Sequence, residues 1–207
     1  MNISPEQIRQ DLWVFYPSNS QQGSWAWWLD CYPEPVLIDC PPVNRQSINS
    51  LKSLSNHKKT RILLTNRDGH GSVNQLHDEL GWPVLVQEQE AYLLPGIKDL
   101  QTFEDEHITS SGIRLLWTPG HSPGSCVVYA PLPWNVLFCG RLLSPTKSCQ
   151  FEPLRKRTTF HWSRQQKSLQ KLRAWISPDT MPSLGSGVSL EVLGSQKLGS
   201  WDQWKES

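Results

Sequence analysis

The tightest constraint in this chain is an eight-residue segment, Thr118-Pro119-Gly120-His121-Ser122-Pro123-Gly124-Ser125. Two prolines fix φ and remove backbone donors, while two glycines relax the steric limits around them, so the segment makes a sharp reversal rather than a helix or strand. Apolar runs flank it at 113–117 and 125–129, and both read as strands. The reversal therefore joins two strands and carries a single imidazole, that of His121, between them.

The rest of the chain alternates in the same way. Runs at 12–16, 25–31 and 36–40, separated by turn residues, read as an antiparallel meander. Ile48, Leu51 and Leu54 share a helical stripe over 44–56. A strand at 61–65 is followed by a loop at 66–71. Ser72 is placed to cap the next helix, whose stripe of Val73, Leu76, His77 and Leu80 ends at Gly81 and Pro83. The run 84–87 is a further strand. The 66–71 loop thus lies at the carboxyl end of a strand in an α/β unit, where open sheets place their ligands. A strand at 135–139, a helix at 164–176 with Leu169, Leu172 and Ile176 inward, and a loop at 182–188 complete the pattern. Two similar halves, each of strands then helix, imply two sheets covered by helices. No linker divides the chain, so residues 1–207 form one domain with a loose tail from about 190, where Trp201 and Trp204 cap the core or meet a partner.

Composition narrows the function. With 20 basic against 19 acidic residues the net charge is +1, which does not favour wholesale nucleic-acid binding. At 37% hydrophobic with 11 Trp the chain carries enough apolar surface for a core. No run approaches the roughly eighteen apolar residues of a membrane span, and residues 1–11 lack a leader's apolar core, so a soluble cytoplasmic protein is expected. Cys31, Cys40, Cys126, Cys139 and Cys149 follow no metal or disulfide spacing and read as reduced thiols. With a four-residue hairpin loop at 131–134, Cys126 falls opposite Cys139.

Several segments resemble the metallo-β-lactamase superfamily in order and spacing. The 118–125 turn is similar to that family's T-P-G-H-[ST]-P-G-S. Val36-Leu37-Ile38-Asp39 resembles its V-L-I-D strand, Leu63-Leu64-Thr65 precedes the place of its H-x-H-x-D-H, and Val136-Leu137-Phe138-Cys139-Gly140-Arg141 resembles L-F-x-G-D. Residues 168–186 resemble its helix followed by P-G-H-G. The resemblance covers essentially the whole chain. It implies an α/β fold, a four-layer αβ/βα sandwich of two mixed sheets flanked by helices, with two metal ions in the cleft activating a hydroxide for hydrolysis.

The residues at the ligand positions depart from that pattern. The H-x-H-x-D-H positions hold Asn66, Asp68, His70 and Gly71. Ser186 stands for the last histidine. Arg141 replaces the bridging aspartate, and a guanidinium stays cationic in proteins. Only His121 is in place. A hydrolytic ion needs several imidazoles or carboxylates at about 2.0–2.2 Å with a position open for water. The expectation is therefore a degraded site, a cleft lined by Asn66, Asp68, His70, His121, Arg141 and Ser186 with Arg141 paired to Asp68, and a non-catalytic binding or regulatory role needing no cofactor. The alternative is a mononuclear hydrolase of a thioester or ester, one zinc, manganese or iron being held by Asp68, His70 and His121. The sharp turn gives His121 a structural reading too, and Asp39 reads as a holder of loop amides. Ser122 and Ser125 lack the G-x-S-x-G elbow of a serine hydrolase.

A second feature is basic. Arg155, Lys156, Arg157, Arg164, Lys167, Lys171 and Arg173 have no acidic residue among them, and Arg164, Lys167 and Lys171 share a helical face. The plain reading is a solvated face; the alternative is an assembly factor whose basic helix docks an anionic membrane surface, an acidic protein or, without sequence specificity, nucleic acid, while a small anion is the ligand expected of the cleft. Glu88, Glu90, Glu104, Asp105 and Glu106 supply opposing charge, which allows a head-to-tail homodimer.

Overall fold

Period-two burial organises the first sheet. In β3 (Ala26–Leu29), Trp27 and Leu29 face one apolar cluster while Ala26 and Trp28 face another, because successive side chains of a strand point to opposite faces. Both faces are thus covered. The computed structural model describes residues 4–17, 25–145, 151–153, 155, 157, 159–183 and 185. The strand β1 (Glu6–Arg9), with β2 (Leu12–Phe15), β3 and β4 (Val36–Ile38), forms an antiparallel meander. Beyond β4 the sheet continues in parallel through β5 (Arg61–Leu63), β6 (Val84–Gln87) and β7 (Leu100–Phe103). Parallel neighbours need crossovers. These are α1 (Arg45–Ser55), α2 (Val73–Leu80) and a 3₁₀ turn, Glu88–Leu93. Ile48 and Leu51 of α1 and Val73 and Leu76 of α2 pack with Trp28, Leu37, Ile62 and Val84 on the outer face.

The second sheet has the order β14 (Met181–Ser183), β11 (Val136–Phe138), β10 (Cys126–Ala130), β9 (Arg114–Trp117) and β8 (Glu106–Ile108). Its pairs are antiparallel except β11 with β14, whose crossover contains α3 (Trp162–Arg173). A short ladder of β12 (Ser144–Pro145) and β13 (Phe151–Glu152) lies between them in the chain. The core between the sheets joins Trp27, Ile38, Leu63 and Leu85 to Leu115, Val127, Leu137 and Phe138. Trp27 meets Phe138 edge-on, with centroids 5.6 Å apart at 61°, a geometry worth about 1 kcal/mol beyond burial. Leu169 and Leu172 of α3 join the same cluster. The architecture is α/β, two mixed sheets flanked by helices. No helix among the described residues is long and apolar enough to cross a membrane.

Four sequence expectations need correction. Ala130 pairs with Val136 and Val128 with Phe138, so the hairpin loop is 131–135 and Cys126 does not oppose Cys139. Cys126 faces Trp117 on the neighbouring strand instead, and Cys31, Cys40, Cys126 and Cys139 are all free and buried. Ser72 occupies the cap position of α2 but makes no side-chain cap bond. The expected loop at 182–188 begins as strand, since Met181–Ser183 extends the second sheet. The last helix runs earlier than 164–176, and its cap is His161, whose side chain accepts from the Arg164 amide at 3.3 Å. Ser186, Lys156, Cys149, Trp201 and Trp204 lie outside the described residues.

Candidate functional site

At the carboxyl end of β5 the two sheets are stitched together. The Cys126 amide, first in β10, donates to Thr65 O at 2.7 Å. Asp39, just beyond β4 and left-handed at φ 60°, is buried beneath the same loop. Its Oδ1 accepts from the Thr65 amide at 2.8 Å, and the Thr65 hydroxyl donates to the same carboxylate. Asp39 therefore does hold a loop amide. The Asn66 side chain donates to Thr65 Oγ1 at 2.8 Å and accepts from the Asp68 amide at 3.0 Å, capping the 3₁₀ turn Arg67–Gly69. Both ends of that amide are occupied in shaping the loop. Gly69 passes so close that a Cβ there would sit 2.2 Å from Asp39 Oδ1.

This loop presents Asp68 to two cation-capable side chains. His121 Nε2 lies 2.9 Å from Asp68 Oδ2. Arg141, which follows β11 by way of left-handed Gly140, places Nε at 3.0 Å and Nη2 at 2.9 Å from that same oxygen. Opposite an ionised carboxylate the imidazole nitrogen must donate, so three N–H groups converge on one atom. The His121 hydrogen bond, with the His121 and Arg141 charges, holds the Asp68 carboxyl well below the usual carboxylate range despite partial burial acting in the opposite direction. Asp68 remains 36% exposed and Arg141 14%. The guanidinium's Nη1 is buried, with no acceptor among the described residues.

His70 belongs to a different cluster. Its Nε2 lies 3.3 Å from Glu90 Oε2, at ion-pair distance, and neither atom has a hydrogen-bond partner among the described residues. Glu90 is 1% exposed, and its other oxygen accepts from the Ser122 hydroxyl, which meets Ser125 Oγ at 2.7 Å. Counting Glu90 among the surface acids is thus corrected: the carboxylate lies against the 118–125 turn. Of the remaining acids, Glu106 lies 4.0 Å from Lys171 within the same chain. Sequence patterning gave no sign of Glu90 at the site. The one available signal is topological, for loops after adjacent parallel strands, here β5 and β6, converge at one sheet end.

The turn that carries His121 is gripped from both sides. A Cβ on Gly120 would fall 2.4 Å from Gln165 Cβ of α3, and one on Gly124 would fall 2.8 Å from both Gln87 Oε1 and Glu90 Cγ. The structure thus brings together Asn66, Asp68, His121 and Arg141 and turns His70 toward Glu90. Among the described residues, no group of three or more His, Cys, Asp or Glu side chains is arranged to hold a metal ion.

No family model matches the chain, and no curated protein matches it. Solved structures do. The B3 metallo-β-lactamase BLEG-1 is 22% identical with a TM-score of 0.61, over 83% of this chain and 89% of its own. The metallo-β-lactamase from Pontibacter korlensis is 18% identical at a TM-score of 0.68, over 97% and 94%. TTHA1623, solved in a di-iron-bound form, is 24% identical at 0.64, over 83% and 92%. The chain has the metallo-β-lactamase fold.

Proposed function

We propose that the chain is a non-hydrolytic binding or regulatory protein on this fold, its cleft closed by internal ion pairing and reserved for a small anion. The observation that carries the reading is the convergence of His121 and Arg141 on Asp68 Oδ2. A metal ion would compete with these donors for Asp68 Oδ2, and it would need the lone pair of His121 Nε2, which here carries the proton donated to Asp68. Two ions also require carboxylates to offset their charge, and Arg141 adds positive charge there instead. The residues present do not fit a dinuclear pair of the kind in TTHA1623. A mononuclear set of Asp68, His70 and His121 fits no better, since His70 faces Glu90. With no acceptor among the described residues, the Nη1 group of Arg141 is the guanidinium nitrogen left for an incoming carboxylate or phosphate.

Elemental analysis of protein purified without chelators tests this. Wild-type protein is expected to hold well under one equivalent of metal, and Arg141→Asp to gain zinc affinity, since the change removes a cation and adds a ligand. A stoichiometric zinc, manganese or iron that is lost in His121→Ala would favour the mononuclear hydrolase and overturn the proposal.

A further inference from the structure

Between α3 and the end of β9 lies an open groove of about 220 Å³, lined by Asp105, Trp117, Pro119, Arg164, Lys167 and Lys171 among others. Its walls differ in chemistry. Arg164, Lys167 and Lys171 recur on one face of α3, opposite the buried Leu169 and Leu172. Lys171 has Glu106 at 4.0 Å, whereas Arg164 and Lys167 have no carboxylate within ion-pair distance among the described residues. Facing them is the half-buried Trp117, whose indole N–H donates to Pro123 O at 2.8 Å. That bond uses the ring's only polar atom and fixes its orientation, leaving the indole only apolar π surface to offer. The walls are also held at a set separation, because Ser168 Oγ on α3 donates to Pro119 O at 2.8 Å. Such preorganisation lowers the cost of binding.

We propose that this groove binds a small aromatic anion, with a planar ring against Trp117 and Pro119 and a phosphate or carboxylate reaching Arg164 and Lys167. A bare anion would leave the indole and proline wetted. A neutral aromatic would leave both cations unpaired. Drug-sized pockets run from about 300 Å³ upward, so the volume suits one ring system with its acidic group rather than a peptide or a nucleic-acid strand. The site is separate from the Asp68 cleft and does not depend on how that cleft functions.

Calorimetric titration of the full chain at low ionic strength tests it, with 1-naphthyl phosphate and 1-naphthoate as probes and 1-naphthol and inorganic phosphate as controls. The expected result, read in Arg141→Ala so that an anion at the Asp68 cleft does not contribute, is one site per chain for at least one naphthyl anion, with both controls weaker by at least about tenfold, since each lacks either the stacking or the charged contacts. Which of the two naphthyl anions binds more tightly identifies the acidic group. Adding R164E/K167E, which alters two exposed side chains, to Arg141→Ala is expected to abolish binding with an unchanged circular-dichroism spectrum. Trp117→Phe is expected to retain it. Four outcomes would overturn the proposal: no saturable binding of either naphthyl anion, equal binding of inorganic phosphate in Arg141→Ala, naphthyl binding in Arg141→Ala that survives R164E/K167E, or naphthyl binding lost in Arg141→Ala.

Discussion

Replacing Asp68 by asparagine isolates the ion network at the cleft. The substitution keeps shape and one acceptor oxygen but removes the charge that three N–H groups share. Stranding one member of a fully buried pair costs about 3–5 kcal/mol, and an exposed pair contributes up to about 1 kcal/mol. Asp68 is 36% exposed and Arg141 14%, which places this network between those limits, at about 2 kcal/mol. For a domain of this length that corresponds to a fall in melting temperature of roughly 4–8 °C. The pH dependence gives a second check. A carboxyl whose folded value is depressed stabilises the fold above its unfolded value of about 3.9, and that stabilisation fades as pH falls toward the folded value. Thermal unfolding followed by circular dichroism should show the full wild-type advantage at pH 5–7, shrinking below about pH 4 as Asp68 protonates in the unfolded chain. Adding Arg141→Met to Asp68→Asn is expected to recover most of the loss, because the stranded guanidinium is gone. An advantage under about 0.5 kcal/mol at pH 7, within the range of inconsequential surface changes, or one that grows on acidification, would refute the reasoning.

Gly120→Ala drives a methyl group into Gln165, whose Cβ lies 2.4 Å from the new atom; overpacking of this kind costs about 1–3 kcal/mol, and chemical denaturation would read it as a lower midpoint. Gly81→Ala is the contrasting case, since nothing lies within 4 Å of a Cβ there. At φ 68° it strains only the backbone, by about 1 kcal/mol. Burial pushes the Cys31 thiol up to about 11 and that of Cys40 up to about 12, so both should resist alkylation at pH 8 until the protein unfolds, which peptide mapping after a timed iodoacetamide pulse would show.

Much of the fold is legible in the sequence because its central strands are apolar on both faces. The run 84–87 matches β6 residue for residue, and Gly81 and Pro83 mark the end of α2. The edges are harder. The strands Glu6–Arg9, Leu100–Phe103 and Glu106–Ile108 are short and largely exposed, so neither alternation nor an apolar run marks them. The hairpin shift has a local cause. Asn135 takes a left-handed conformation at φ 51° and donates its amide to Pro131 O at 3.2 Å, adding a fifth loop residue that slips the register by one and changes the facing partner of Cys126. Asp68 and Arg141 are legible as partners from charge and motif alignment. Glu90 is not, because its burial is decided by the β5–β6 pairing and not by anything local in Glu88–Leu93.

The packing around the 118–125 turn accounts for several of its residues without reference to any chemistry the turn carries. Gly120 is required by the passage of α3, and Gly124 by the carboxylate turn after β6. Ser122 and Ser125 satisfy each other and Glu90, and the Pro123 carbonyl anchors Trp117. Gly120, Ser122, Gly124 and Ser125 thus each answer to a packing or hydrogen-bonding demand within the protein. His121 itself is held by Asp68, an anion in the cleft that gives the ring a partner without any metal. The turn's sequence is therefore a reading of how two sheets, α3 and the Glu90 turn meet. Under the proposed function, an ion beside His121 would have to displace the Asp68–Arg141 pair, whose guanidinium keeps its positive charge.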